Sequence, residues 1–354
     1  MLNPKTKELI EITIAEKASD LHLVTDSAPV IRVNGRLNIL FNLGKISEKE
    51  MQEIVFEMMG EERKEMFLKE KDIDFSYNFE DKVRFRVNIF FQREKIACAL
   101  RIISSEIQTI DDLNLPPILH EFTNLPQGFV LVTGPSGQGK STTLAALIDK
   151  INHTRAENII TIEDPIEYIF TPDRSIISQR EIRQDATSFA RALKATFRQD
   201  PDVIMVGEMR DPETIATAIT AAETGHLVFA TLHTNSAHQS IHRIVDSFPA
   251  VQQNQIRAQL SGSLAGIISQ RLIPRNKGGL IPACEIMINN AAVANLIREN
   301  KIHEIPVVIE TSGERGMISL NRYLANLVRL KEISLEIAQA YSSQPDELRN
   351  LIHR

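Results

Sequence analysis

Tryptophan is absent from the 354 residues and tyrosine occurs four times. Cysteine occurs twice, at Cys98 and Cys284. Two thiols cannot supply a four-cysteine zinc element and indicate no disulfide framework, so a reducing compartment suits the chain. A surplus of positive charge is also missing: 40 Lys and Arg against 46 Asp and Glu leave a formal charge of −6. Nothing therefore points to a dominant polyanion partner. With few aromatics to stack bases, the composition argues against a single-stranded nucleic-acid binder. No apolar run approaches the roughly eighteen residues of a membrane span. The first residues turn quickly into an amphipathic pattern containing Glu11 and Glu16, which is unlike a signal peptide. Internal repeats and low-complexity segments are lacking as well.

What is present is an ordinary globular composition, 43% apolar and 24% charged, in a chain long enough for two domains. Residues 4–18 carry Leu9, Ile10, Ile12, Ile14 and Ala15 at helical spacing. Short strands follow at 19–24, 30–33 and 37–41, with Asn34-Gly35 as a tight hairpin turn. Ser47, with Glu50 three residues on, opens a helix over 47–59, and a second charged helix covers 61–69. Strands are expected at 73–79, 83–91 and 96–103. The middle one alternates Val83, Phe85, Val87, Ile89 and Phe91 with Arg84, Arg86, Asn88 and Phe90. Helices mixed with antiparallel strands predict a smaller α+β domain over 1–104, and Pro116, Pro117 and Pro126 mark a linker over 105–127 with one short helix.

From Gly128 the pattern becomes alternating strand and helix, the signature of a parallel α/β sheet, and this second domain is expected over 128–354. Strands are predicted at 129–133, 158–162, 203–206 and 226–231, and helices at 140–152, 187–197, 212–223 and 236–246. A further helix after 250, a hairpin around Pro274 to Gly279 and several short helices to Arg354 complete the chain. At the first strand–helix junction stands G-x-x-x-x-G-K-S, Gly134 to Ser141, the phosphate-cradling P-loop in its confirming context. The nucleotide-binding set is Gly134, Pro135, Ser136, Gly137, Gln138, Gly139, Lys140, Ser141 and Thr142. Glycines let the backbone N–H groups turn inward, Lys140 is expected to reach the β/γ-phosphates, and Ser141 to ligate Mg²⁺. Gln138 stands where Ser or Thr is usual, and the mostly backbone cradle should tolerate it.

Hydrolysis of ATP needs a held metal, an oriented water and neutralised γ-phosphate charge. The strand 203–206 ends in Gly207-Glu208, a Walker B element in which Gly207 stands where Asp is common. Glu163, Asp164 and Glu167 follow the strand 158–162, three carboxylates that repel one another unless a cation sits among them, and they would offset the missing Asp. Glu208, Glu167 and Glu163 are the catalytic carboxylates, with Ser141, Glu163 and Glu208 as the metal set. One of Glu167 or Glu208 should orient the attacking water. His226 and His233 flank a further strand and are nucleotide-site candidates; His233, with Thr231 and Thr234, suits a γ-phosphate sensor.

These elements together resemble the secretion and pilus-motor ATPases, and within them the type IV pilus retraction ATPases of PilT type. The resemblance rests on Ala18 to His22, Phe85 to Asn88, Gly134 to Thr143, Thr161 to Glu167, Asp202 to Asp211, and Ala222 to His226 through His233 and Thr234. It implies an α/β fold in which a PAS-like N-terminal domain precedes a RecA-like ATPase domain. It further implies a homo-hexameric ring and ATP hydrolysis driving pilus retraction and twitching motility. The localisation implied is cytoplasmic, peripheral at the inner membrane through a pilus platform protein. In such rings a neighbour's arginines reach the nucleotide, for which Arg84, Arg86, Arg101 and Arg243 are the candidates, so the isolated chain should be a poor ATPase. One departure stands out: the retraction family's Ala-Ile-Arg-Asn-Leu-Ile-Arg-Glu segment reads Ala292 to Glu299 here, with Ala294 in place of its first Arg. An accessory or secretion motor of the same superfamily, a RecA-like nucleic-acid translocase and a regulator without turnover are the other readings. Intact Lys140, Ser141, Glu167 and Glu208 speak against the last.

Overall fold

The computed structural model describes residues 3–33, 35–80, 83–103 and 106–353. Asn34 of the expected turn, Ser104 at the expected domain end and Arg354 lie outside the described residues. The chain divides into two compact units, Met1–Glu106 with Pro165–Ile169, and Ile107–Asp164 with Phe170–Arg354. Residues 107–127, expected as linker, thus belong to the second unit and include the helix Leu119–Thr123.

The first unit is built on six strands: β1 (Asp20–Val24), β2 (Val30–Val33), β3 (Arg36–Ile39), β4 (Asp72–Phe79), β5 (Val83–Gln92) and β6 (Lys95–Ile103). Their order is β3-β2-β1-β6-β5-β4, antiparallel throughout. Alternation sets its two faces. Phe85, Val87 and Ile89 of β5 are fully buried, while Arg84, Arg86 and Asn88 stay half-exposed on the other side. Helices Pro4–Ala15 and Glu48–Glu70 add Leu9, Ile10, Met51 and Val55 to the core formed with Phe75 and Phe85. Each such side chain contributes about 1.5–3 kcal/mol by leaving water. Ser47 and Glu50 close a reciprocal capping box, worth about 1 kcal/mol. Within Glu48–Glu70 the helix is interrupted at Gly60 (φ 69°, ψ 175°), which divides it at the residue expected to separate two helices. The strand expected over 37–41 ends at Ile39, and Phe41–Leu43 form a 3₁₀ turn instead.

The second unit holds seven strands: β7 (Gly128–Thr133), β8 (Asn158–Glu163), β9 (Ile176–Glu181), β10 (Val203–Val206), β11 (Leu227–Leu232), β12 (Leu264–Pro274) and β13 (Leu280–Ile288). The order is β13-β12-β7-β11-β10-β8-β9, parallel except for β13 against β12. β7, β10 and β11 are buried along their whole length, as strands covered on both faces must be. Helices Pro212–Glu223, Ala237–Asp246 and Ala250–Ser263 bring Ile215, Ile219, Ile241, Ile244 and Leu260 to the core of Phe129, Leu131, Ile204 and Val228. β9 was not expected: it is an edge strand with Ile176 exposed and Ser178 and Arg180 within it, so it lacks the continuous apolar run of its neighbours. Among the described residues no helix is long and apolar enough to cross a membrane.

Candidate functional site

Parallel pairing sends the C-terminal ends of the central strands out of one sheet edge. The registers Leu232↔Thr133, Ser269↔Thr133, Val206↔Ala230 and Val206↔Ile162 place those ends level. At that edge β7 passes into the phosphate loop, whose Gly137 (φ 73°) and Gly139 (φ 78°) occupy the left-handed region before the helix Lys140–Thr154 begins. A Cβ on Gly134 would sit 2.4 Å from the Gln270 carbonyl oxygen, so no larger residue fits there. Lys140 is only 8% exposed, and its Nζ donates to the carbonyls of Gly134 (2.8 Å) and Pro135 (2.9 Å). A glycine-shaped cradle, a helix N-terminus and an ammonium turned into the loop are what a nucleotide phosphate requires. Ser141 and Thr142 occupy the first turn of that helix, half-buried.

Glu163 ends β8 buried, at 7% exposure, where Thr161 Oγ1 (2.6 Å) and Gln179 Nε2 (3.2 Å) both donate to its Oε1. Gly207 N donates to Ile162 O, and a Cβ on Gly207 would meet Glu163 Cα at 3.4 Å and Cγ at 3.8 Å. Glu163 therefore packs beside Gly207, where β8 and β10 end next to each other. Glu208 follows, with its Oε2 accepting from Arg210 Nη2 at 2.7 Å and its Oε1 3.1 Å from His233 Nε2. Burial opposes its ionisation, but the hydrogen bond and charge of Arg210, with His233 and Lys140, hold the carboxyl below its usual range.

His233 leaves β11 beside the loop, its Nδ1 3.4 Å from Ser136 Oγ and 3.5 Å from Lys140 Nζ. Burial and then the Lys140 charge lower its pKa against the raising effect of Glu208, so the ring is neutral at pH 7. The tautomer protonated at Nε2 satisfies both sides, donating to Glu208 and accepting at Nδ1. Lys140, His233 and Glu208 therefore form one continuous line of polar contacts.

A model of the type II/IV secretion system protein family matches residues 1–351. The chain belongs to that family. It is 42% identical over 339 residues to the type IV pilus retraction ATPase PilT of Pseudomonas aeruginosa, covering 96% of this chain and 98% of the other. To the type IV pilus ATPase PilU of the same organism it is 38% identical over 347 residues, covering 98% and 91%. A crystal structure of the pilus retraction motor PilT with bound ADP superposes with a TM-score of 0.90 at 45% identity, over 97% of this chain and 98% of that one. The α/β architecture, an N-terminal domain followed by a RecA-like ATPase domain, is shared with these members of the family.

In this family member several predicted residues are engaged with other partners. Of the three expected carboxylates, Glu163 and Asp164 belong to the second unit, while Glu167 belongs to the first and lies 3.7 Å from Arg86 Nη1. Among the described residues no three His, Cys, Asp or Glu side chains form a group able to hold a metal ion. Mg²⁺ keeps waters and substrate phosphates among its ligands, so one or two carboxylates and Ser141 fit it without a cage. His226 precedes β11, at the end of the strand opposite His233, with its Nδ1 2.8 Å from Ala221 O and its ring edge-on to Phe197. Six residues of strand, about 20 Å, separate it from the loop. Arg84 donates to Ser76 Oγ, Arg86 grips Asp74 in a bidentate pair, and Arg101 binds Asp20 at 2.8 Å. Arg243 is exposed near the end of the helix Ala237–Asp246.

Other residues of this site were not singled out from the sequence. Arg210 pairs with Glu208, and Gln270 and Ser269 of β12 touch the loop and Thr133. Glu285 of β13 accepts from Ala237 N (2.8 Å) at the start of the helix behind His233, with burial pushing its pKa up. Position within a strand pair, invisible in one dimension, is what assigns them.

Proposed function

We propose that the chain is an ATP-hydrolysing motor of a type IV pilus, acting in retraction and twitching motility. The observation that carries this is the Lys140–His233–Glu208 line at the phosphate loop, in a chain that aligns end to end with a pilus retraction ATPase. ATP binds with its phosphates against the loop N–H groups and the N-terminus of helix Lys140–Thr154. Lys140 exchanges the Gly134 and Pro135 carbonyls for the β/γ-phosphates. Ser141, Glu163 and Glu208 are the residues that would hold Mg²⁺, which when bound would neutralise charge on those phosphates. Glu208 is ionised at neutral pH and orients the attacking water. For Glu167 to share that work it must leave Arg86. Neutral His233 donates from Nε2 to the γ-phosphate in place of Glu208, and loses that contact when the phosphate leaves.

The assembly we propose is a homo-hexamer, peripheral at the cytoplasmic face of the inner membrane and coupled to a pilus platform protein. Arg84, Arg86, Arg101 and Arg243 are its proposed trans contacts. The first three must trade Ser76, Asp74 and Asp20 for a neighbour's phosphates. Deleting the gene tests the reading directly: excess surface pili without motility is expected, and absent pili would assign assembly instead. A second reading, an accessory motor, is favoured by Ala294, half-buried on the helix Ala291–Arg298. Complementing the deletion with Ala294→Arg separates the two, because a main motor should need no such repair.

A further inference from the structure

β7 ends at Thr133, opposite Ser269, whereas β12 continues to Pro274. Past Ser269 the edge of β12 that faced β7 pairs with the phosphate loop instead of with a strand. Leu272 N donates to the side-chain Oε1 of Gln138 at 2.7 Å, as a ladder bond would. In return Gln270 Nε2 donates to Gln138 O at 2.8 Å, and Thr143 Oγ1, in the first turn after the loop, donates to Gln270 Oε1 at 2.7 Å. Gln270 is 2% exposed with both ends of its amide bonded. It also lines the glycines: a Cβ on Gly139 would lie 2.9 Å from its Nε2, and one on Gly134 2.4 Å from its carbonyl oxygen. One buried residue thus touches the start, the crest and the exit of the loop.

We propose that Gln270 is a positioning residue that holds the phosphate loop in its binding shape before nucleotide arrives, and that Gln138 is the reinforcing half of this latch. The proposal rests on the nucleotide-binding reading above and adds what shapes that site. A serine or threonine at 138, the residue usual at this loop position, ends two atoms short of the Gln Oε1 and leaves Leu272 N–H without that acceptor. The cradle here is therefore not backbone alone, and Gln138 is not merely tolerated.

The test uses the full chain and two readouts: amide hydrogen exchange at Leu272 without nucleotide, and titration with fluorescent ADP. Gln138→Ser and the isosteric Gln138→Met should each speed Leu272 exchange and weaken ADP binding about three- to tenfold, the worth of one hydrogen bond. Gln138→Glu keeps the acceptor oxygen and should restore Leu272 protection. In Gln270→Leu the same loss of affinity is expected with the slow-exchanging strands of the sheet unchanged. Wild-type Leu272 exchange in both Gln138→Ser and Gln138→Met would overturn the latch, as would wild-type ADP affinity in a folded Gln270→Leu. If the unsubstituted chain binds no ADP, the nucleotide reading fails, while the Leu272 measurement still decides the latch.

Discussion

The two sheets carry charged residues by different rules. In the antiparallel sheet of the first unit, polar side chains alternate onto one face, so Arg86 finds Asp74 and Arg101 finds Asp20 across neighbouring strands. In the parallel sheet the strands β7, β10 and β11 are buried and uncharged throughout, and charged residues follow their C-terminal ends. Those ends share an edge, so residues about a hundred positions apart, Lys140 and His233 (3.5 Å), come together. Local pairing stabilises a surface; convergence at an edge builds a site.

The sharpest way to break this contrast is at the edge itself. Lys140→Ala should lower ATP turnover by about a hundredfold or more, measured as phosphate release. Turnover at the wild-type rate would remove the central claim. Glu208→Gln comes next, expected to slow hydrolysis by about 10²-fold while ATP stays bound, whereas Glu163→Gln should instead weaken Mg²⁺-dependent binding. An unchanged rate for Glu208→Gln would move the water-orienting role to another carboxylate.

On the paired face the effects should be small. Asp74→Ala should cost about 0.2–1 kcal/mol by denaturant unfolding, because the Arg86 pair is solvent-screened. Arg86→Ala should cost the same in stability yet reduce turnover only in the assembled ring. Equal loss in ring and isolated chain would show Arg86 acting within its own subunit. His226→Ala, at the far end of β11, should leave ADP affinity unchanged in the isolated chain. The last expectation concerns pH. The native state favours neutral His233, so its contribution to stability is present above the usual pKa of about 6.5 and declines as pH falls below it. Imidazole resonances followed by NMR should therefore show His233 titrating below the usual histidine value of about 6.5.

Much of this was legible because the period of apolar residues reports how many faces a strand buries. Alternation in β5 announced a one-sided sheet, and the apolar runs of β7, β10 and β11 announced strands covered on both faces. β9 was missed for the same reason: an edge strand needs few apolar residues, so its sequence resembles a loop. His226 and His233 both read as nucleotide-site candidates, with only His233 as a γ-phosphate sensor, and the strand length between them carries them to opposite ends of β11. Three carboxylates adjacent in sequence looked like one cluster, yet the turn at Pro165 sends Glu167 into the first unit.

The chain by itself determined the phosphate loop, because Gly134, Gly137, Gly139, Lys140 and Ser141 work through local backbone geometry that a short segment encodes. It also determined most of the strands and helices, which periodicity reports, but not the edge strand β9. Only the tertiary structure decided which strand ends meet, that Glu163 packs beside Gly207, and that Gln270 of β12 holds the loop through Gln138. Those facts depend on strand order and register, and such long-range pairings leave no mark in local sequence.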